Sequence, residues 1–375
     1  MPASSSKTLK LGVIGCGRVA ETRHLPALQT LPDVEVVAVA DISPDRLRWV
    51  ADRFHIKARY PDGLALLDNS AIEAVAVCVP TQFHVEVALA ALDTGKHLFI
   101  EKPLALSLDE SDRLIERAKQ SSNKVMLGFN MRWHRLLRQA RQIIQEGTLG
   151  SLKLMCTTFT SGTRYRGNVP EWRKQRMLGG GVLIEQAVHH FDLWRFLLQS
   201  EVEEVFATSH CGQWEDETAT VTARMANGVL VAAMFSEGTS DNNEVEVYGQ
   251  AGRLRVSCYR FDGLEFSSAA SVPGAIRTRL HRTAQALKAL PLAVSQMRRG
   301  GDYIASYRAE WRHFLDCVQH DTPVECTLDD GRCALQVVLA ALESASLRQP
   351  VNVSQGPREI TPMAASTPVE RQQRP

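Results

Sequence analysis

Apolar positions in the first 130 residues fall into short runs separated by amphipathic stretches. Leu9–Gly15, Glu35–Ala40, Ile72–Val79, His97–Ile100 and Lys124–Phe129 each read as a strand buried on both faces. Ala20–Leu31, Pro44–Phe54, His84–Thr94 and Leu108–Gln120 read as helices between them. Ser43-Pro44 and Ser107-Leu108-Asp109-Glu110 supply helix start signals. Strand and helix alternating at this spacing predict a doubly wound parallel sheet of the Rossmann type.

From Ser151 the pattern changes. Leu152–Thr160, Val202–Ser209, Ala219–Met225, Val229–Glu237, Val245–Tyr248 and Leu254–Tyr259 are strands of mixed polarity, and Ala226-Asn227-Gly228 is a hairpin turn. Together they predict a large, open, mostly antiparallel sheet with one apolar face. The helices at Met131–Gln145 and Val182–Leu198 would cover that face, and a partner subunit's sheet would add to it. Tyr307–Gln319 and Gly331–Leu347 read as closing helices. The expected division is a dinucleotide-binding domain at 1–128, an α+β substrate and oligomerisation domain at 129–353, and a disordered tail at 354–375.

With 375 residues, 44% of them apolar and 23% charged, the chain has the composition of a globular protein. Its net charge of +1 gives no global pull toward nucleic acid or membrane. No apolar run reaches the roughly 18 residues of a membrane helix, and Met1–Lys10 lacks a signal-peptide core. None of the eight cysteines forms a C-x-x-C pair, so neither zinc nor a disulfide framework is indicated and a cytoplasmic setting is expected.

Gly15-Cys16-Gly17-Arg18-Val19-Ala20 fits G-x-G-x-x-G/A between the first strand and first helix. Gly15 permits the tight turn, Gly17 lets backbone approach a pyrophosphate, and Ala20 keeps the helix close to the sheet. The helix N-terminus faces the phosphates. Asp41, about 20 residues on, would accept hydrogen bonds from a ribose diol and repel a 2′-phosphate, so NAD is favoured. Arg18 or Arg46 would soften that preference toward NADP. Pro80, Thr81 and His84 follow another strand and border the nicotinamide side; His84 reads equally as a ligand contact or a helix cap.

Phe99-Ile100-Glu101-Lys102-Pro103 leaves a lysine at the carboxyl edge of a strand, where open parallel sheets bind ligands. Later, Gly179-Gly180-Gly181 would let backbone pass close to a ligand, and a helix carrying Glu185, His189 and Asp192 follows. Glu185 and His189 are spaced to share a helical face, so the acid would orient the ring. An ordinary surface ion pair is the alternative. Arg164, Arg166, Arg173, Lys174 and Arg176, with a basic segment at 266–301 read as a helix interrupted at Pro291, leave a phosphorylated or nucleotide-linked substrate open.

In order and spacing these pieces resemble the glucose–fructose oxidoreductase / inositol dehydrogenase / rhizopine-catabolism family of NAD(P)-dependent oxidoreductases. The matching residues are Gly15-Cys16-Gly17 with Asp41, Glu101-Lys102-Pro103, Gly128-Phe129-Asn130, and Gly179-Gly180-Gly181 with Glu185 and His189. The resemblance implies hydride transfer between nicotinamide and a secondary alcohol or ketone of a sugar, polyol or sugar derivative. Lys102 would lie beside the nicotinamide, with Glu185 and His189 on the reacting alcohol. Gly15, Gly17, Arg18, Val19, Asp41, Pro80, Thr81, His84, Glu101, Lys102 and Asn130 would hold the cofactor, and Lys102, Arg132, Trp172 and His189 would face the substrate, with Lys102, His189 and Glu185 catalytic. Glu185 stands where aspartate is the commoner family residue, and Ala187 where glycine is usual. A homodimer or homotetramer through the second sheet is expected. The alternatives are a reductase with tightly held NADP(H) and a non-enzymatic NAD-binding sensor.

Overall fold

Six parallel strands form the first sheet in the computed structural model, which describes residues 8–162, 169–271 and 301–360 with isolated positions between 276 and 287. They are β1 (Leu9–Ile14), β2 (Val34–Ala40), β3 (Ala58–Tyr60), β4 (Ala74–Val77), β5 (His97–Glu101) and β6 (Val125–Gly128). Their order is β3-β2-β1-β4-β5-β6. The winding reverses between β1 and β4, so the loops leaving these two strands diverge and open a crevice at the carboxyl edge.

A π-turn over Ala20–His24 leads into α1 (Leu25–Leu28). Ser43 caps α2 (Pro44–Arg53), α3 is Gly63–Leu67, and α4 is His84–Asp93. The Ser107–Glu110 box opens α5 (Leu108–Lys119), as its sequence signal predicts. β3 and α3 escape the periodicity argument because three and five residues are too few to establish a repeat.

The second sheet is built from β7 (Leu152–Thr160), β8 (Val202–His210), β9 (Thr218–Met225), β10 (Leu230–Ser236), β11 (Asn242–Gly249), β12 (Gly252–Ser257), β13 (Leu264–Ser268) and β14 (Val351–Asn352). Its order is β13-β12-β11-β7-β10-β9-β8-β14, antiparallel except where β7 runs parallel to β10. Gly228, at φ 82°, closes the hairpin from β9 to β10. Behind the sheet lie α6 (Arg135–Gln145) and α7 (Val188–Leu198), with Phe191 and Trp194 fully buried.

The last two helices, α8 (Gly301–His320) and α9 (Leu328–Leu347), pack on the first domain as well as the second. Trp311 of α8 stacks on Phe99 of β5 with ring centroids 4.2 Å apart, and the Leu127 N–H donates to the Cys326 carbonyl before α9. The tail expected to be disordered from 354 instead stays ordered through 360. Leu108 donates its N–H to the Arg358 carbonyl at 2.6 Å, Arg358 pairs with Asp109 and Asp112, and Ile360 is buried. Those ion pairs and one apolar anchor offset the polar composition that predicted disorder. The expected helix around Pro291 lies mostly outside the described residues.

Candidate active site

A cleft of about 590 Å³ runs from the loop after β1 to the edge of the second domain. Gly17, Arg18, Val19, Pro80, Thr81 and Lys102 line one wall; Trp172, Arg173 and Glu185 line the other. Gly15 has φ 98°, and a Cβ there would meet the Cys78 carbonyl oxygen at 2.5 Å, so only glycine lets the β1 and β4 loops touch. At Gly17 a Cβ would find no protein atom closer than 4.0 Å. That position faces open cleft and leaves room for a pyrophosphate. Burial pushes the Cys16 thiol up to about 12, so this turn carries no thiolate to repel one.

Asp41 accepts the Cys16 N–H at 2.7 Å and the Ser43 N–H at 2.8 Å, one on each oxygen. Each oxygen keeps a lone pair for a ribose hydroxyl. Arg46, which also lines the cleft, is held on the Cys16 carbonyl at 2.7 Å and the Glu21 carboxylate at 2.6 Å. Glu21 also receives Trp49 and Arg53. Burial alone would raise its carboxyl, but the bonds from Arg46 and Trp49 outweigh that and hold it below the ordinary value.

Lys102 follows β5 directly, and its Nζ donates to the Glu185 carbonyl at 2.9 Å across the cleft. Glu101 is 6% exposed. Its Oε1 meets His24 Nε2 at 2.7 Å, and its Oε2 accepts the Lys102 N–H at 3.0 Å. Burial pushes the Glu101 carboxyl up, but the bond from His24 and the charge of Lys102 bring it below its usual value. His84 does not cap its helix, whose N-cap is Phe83, but it lines the cleft. Its Nδ1 lies 2.7 Å from the Pro103 carbonyl and its Nε2 2.9 Å from the Val79 carbonyl, so it ties the two loops of the nicotinamide side together.

The expected Glu185–His189 partnership is not formed. Leu183–Ala187 is a π-turn, where hydrogen bonds run i→i+5 and α-helical i,i+4 stacking lapses. The Glu185 carboxylate pairs instead with Arg173 at 3.2 Å, and Arg173 also holds Glu237 at 2.8 Å. His189, 9% exposed, has no partner at Nδ1 among the described residues. Burial, the Lys102 ammonium and His190 push its pKa well below the ordinary value, so the ring is neutral at pH 7.

Arg132 does not face a substrate. It is 6% exposed, and its guanidinium grips Asp192 through Nε at 2.7 Å and Nη2 at 2.5 Å, and Asp330 at 2.9 Å. Asp192 is thereby removed from the His189 side. Asn130 donates its amide N–H to Ser306 at 3.1 Å, fastening the end of β6 to α8. The three glycines serve packing rather than ligand approach: a Cβ on Gly180 would strike the Arg173 carbonyl at 2.3 Å, and Gly179 abuts Thr81. They hold the turns Glu171–Lys174 and Arg176–Leu178, which carry Trp172 and Arg173, against the cleft. His24, Trp311, Arg173 and Glu237 emerge as site residues only in three dimensions, though Arg173 stood within a basic run.

His190, fully buried with Nε2 3.3 Å from Asn243 Oδ1, is pushed down to about 4, mainly by burial. The unfolded ring titrates near 6.5. Its contribution to stability is therefore complete above that pH and is lost as pH falls through about 4. Denaturant midpoints at pH 7 and pH 4.5 should show a smaller acid loss for His190→Gln than for the parent, by about 2 kcal/mol. Equal losses would contradict the assignment.

Residues 9–129 match the family model described as oxidoreductase family, NAD-binding Rossmann fold, and residues 141–353 match its C-terminal alpha/beta domain. A myo-inositol 2-dehydrogenase of Thermotoga maritima is 28% identical, covering 92% of this chain and 99% of its own length. A dTDP-3,4-didehydro-2,6-dideoxy-alpha-D-glucose 3-reductase of Actinomadura kijaniata is 30% identical, over 67% of this chain and 75% of its own. The crystal structure of a probable dehydrogenase from Thermotoga maritima has the same fold, with a TM-score of 0.74 at 26% identity, covering 93% of this chain and 100% of that one. Both domains, in order and nearly complete, place this chain in the glucose–fructose oxidoreductase, inositol dehydrogenase and MocA family of oxidoreductases, with NAD as the cofactor of its Rossmann domain.

Proposed function

We propose that this enzyme reversibly oxidises a secondary alcohol of a neutral sugar or polyol, with Lys102 and His189 serving the reacting oxygen. The observation that carries the reading is Lys102 Nζ, held across the cleft at 2.9 Å from the Glu185 carbonyl, between the nucleotide loops and the second domain. NAD held by the glycine turn and Asp41 would supply the hydride acceptor, and neutral His189 would take the O–H proton of the alcohol. Lys102 donates a hydrogen bond to the oxygen as it becomes a carbonyl. Glu185 contributes its carbonyl to the lysine and its carboxylate to Arg173.

Among the described residues the charge pattern favours a neutral substrate over a phosphorylated or nucleotide-linked one; Arg164, Arg166 and most of the basic segment 266–301 lie outside them. Arg173 is matched by Glu185 and Glu237, Lys174 by Glu171, and Arg176 by Asp216. The relative named myo-inositol 2-dehydrogenase points the same way. A panel of inositols, free sugars and nucleotide sugars with NAD, followed at the reduced-nicotinamide band, tests this. Turnover is expected with neutral polyols; turnover confined to nucleotide sugars would overturn it.

Cofactor choice rests on Asp41 and on Glu21, which occupies the Arg46 guanidinium. Asp41→Ser with Glu21→Gln removes the repulsion and frees the guanidinium. The kcat/KM ratio of NADP to NAD should rise about a hundredfold, from one charge-assisted contact of roughly 1.5–3 kcal/mol. An unchanged ratio would contradict this assignment.

The outer face of the second sheet exposes Phe206, Leu230 and Met234, which a second copy of the chain would cover. Light scattering of Met234→Lys should show a smaller oligomer than the parent. Among the described residues no helix is long and apolar enough to cross a membrane. A cytoplasmic setting, where thiols stay reduced, suits the eight free cysteines.

A further inference from the structure

Behind Lys102, three polar side chains form a chain of hydrogen bonds inside an aromatic core. Trp311 Nε1 lies 3.0 Å from His24 Nδ1, and His24 Nε2 lies 2.7 Å from Glu101 Oε1. An indole N–H only donates, so His24 Nδ1 accepts and its proton sits on Nε2, aimed at the carboxylate. His24 and Trp311 are 0% exposed, and Phe99 and Tyr307 meet the imidazole edge-on at 5.4 and 5.3 Å. Burying such a triad carries a desolvation cost that apolar side chains of similar shape would avoid. Its effect falls on Lys102: Glu101 Oε2 accepts that residue's own N–H at 3.0 Å, and His84 holds the next carbonyl at 2.7 Å.

We propose that Trp311, His24 and Glu101 are positioning residues that fix the Lys102 main chain, so that its ammonium meets the reacting oxygen in one geometry. This inference rests on the reading above that Lys102 serves that oxygen. Trp311 comes from α8, so the alignment forms only when this helix is docked on the first domain. The triad would set a tautomer. Without the indole donor the His24 proton can move to Nδ1, and Glu101 Oε1 loses its partner. The groups facing Glu101 are His24, Lys102 and His84; Glu310, Cys78 and Tyr307 lie nearby, and burial pushes the pKa of all three well up.

Trp311→Phe removes the N–H and retains the ring on Phe99. With the neutral polyol turned over fastest in the panel, kcat should fall about tenfold, with the KM for NAD and the thermal midpoint close to the parent. Nitrogen NMR of histidine-labelled protein should show His24 as the Nε2–H tautomer in the parent and as mixed tautomers in Trp311→Phe. His24→Gln, which restores a donor toward Glu101, should keep most of the activity, whereas His24→Leu should lose it. Parent-like kcat in Trp311→Phe, an Nδ1–H tautomer in the parent, or equal losses in His24→Gln and His24→Leu would overturn the proposal. Lys102→Met separates the two readings. If it keeps full turnover, the role of Lys102 fails; if it loses turnover while Trp311→Phe does not, only the positioning role fails.

Discussion

Lys102→Met should lower kcat about a thousandfold while leaving NADH affinity within about threefold of the parent. The substitution keeps the aliphatic stem and removes the ammonium that donates across the cleft to the Glu185 carbonyl. Loss of a hydrogen-bond donor to a developing oxyanion carries about two to three orders of magnitude. Binding should survive, because the glycine turn, Asp41 and the Pro80-Thr81 loop are untouched. Stopped-flow turnover together with NADH fluorescence titration distinguishes the two effects. A kcat within tenfold of the parent would remove Lys102 from the chemistry.

Arg132→Ala should destabilise the fold by about 3–5 kcal/mol, the cost of breaking a buried ion pair. The change strands Asp192, which is 1% exposed and whose carboxyl burial already pushes above the ordinary value despite Arg132. The arginine joins the segment after β6 to α7 and to the first turn of α9, so three elements lose their common tie. A thermal midpoint lower by about 5 °C is expected. Arg132→Met with Asp192→Leu should recover part of it, since both charges are then gone. A midpoint unchanged in Arg132→Ala would return this residue to the substrate side.

These two residues also mark where the sequence was legible and where it was not. Lys102 could be placed because the parallel strand before it is a continuous apolar run and the glycine turn upstream implies a nucleotide. Both are local signals. Arg132 sits in a motif, but its partners lie 60 and 198 positions away, and nothing local reveals that its charge is already matched. The same holds for His24, which meets Glu101 over 77 positions and Trp311 over 287. Glu185 and His189 failed differently. Their spacing was read with the α-helical period, and a π-turn between Leu183 and Ala187 changes that period. The hairpin at Asn227-Gly228 was legible because its positive-φ glycine is required by the turn itself.

The central claim is direct hydride transfer between a polyol carbon and the nicotinamide in the cleft that Lys102 spans. Incubating the enzyme with NAD and inositol deuterated at the ring carbons, then analysing the NADH by proton NMR, tests it most directly. The account predicts one deuterium at C4 of the nicotinamide and a slowed rate. NADH free of deuterium, or deuterium released to water with no NADH formed, would contradict it.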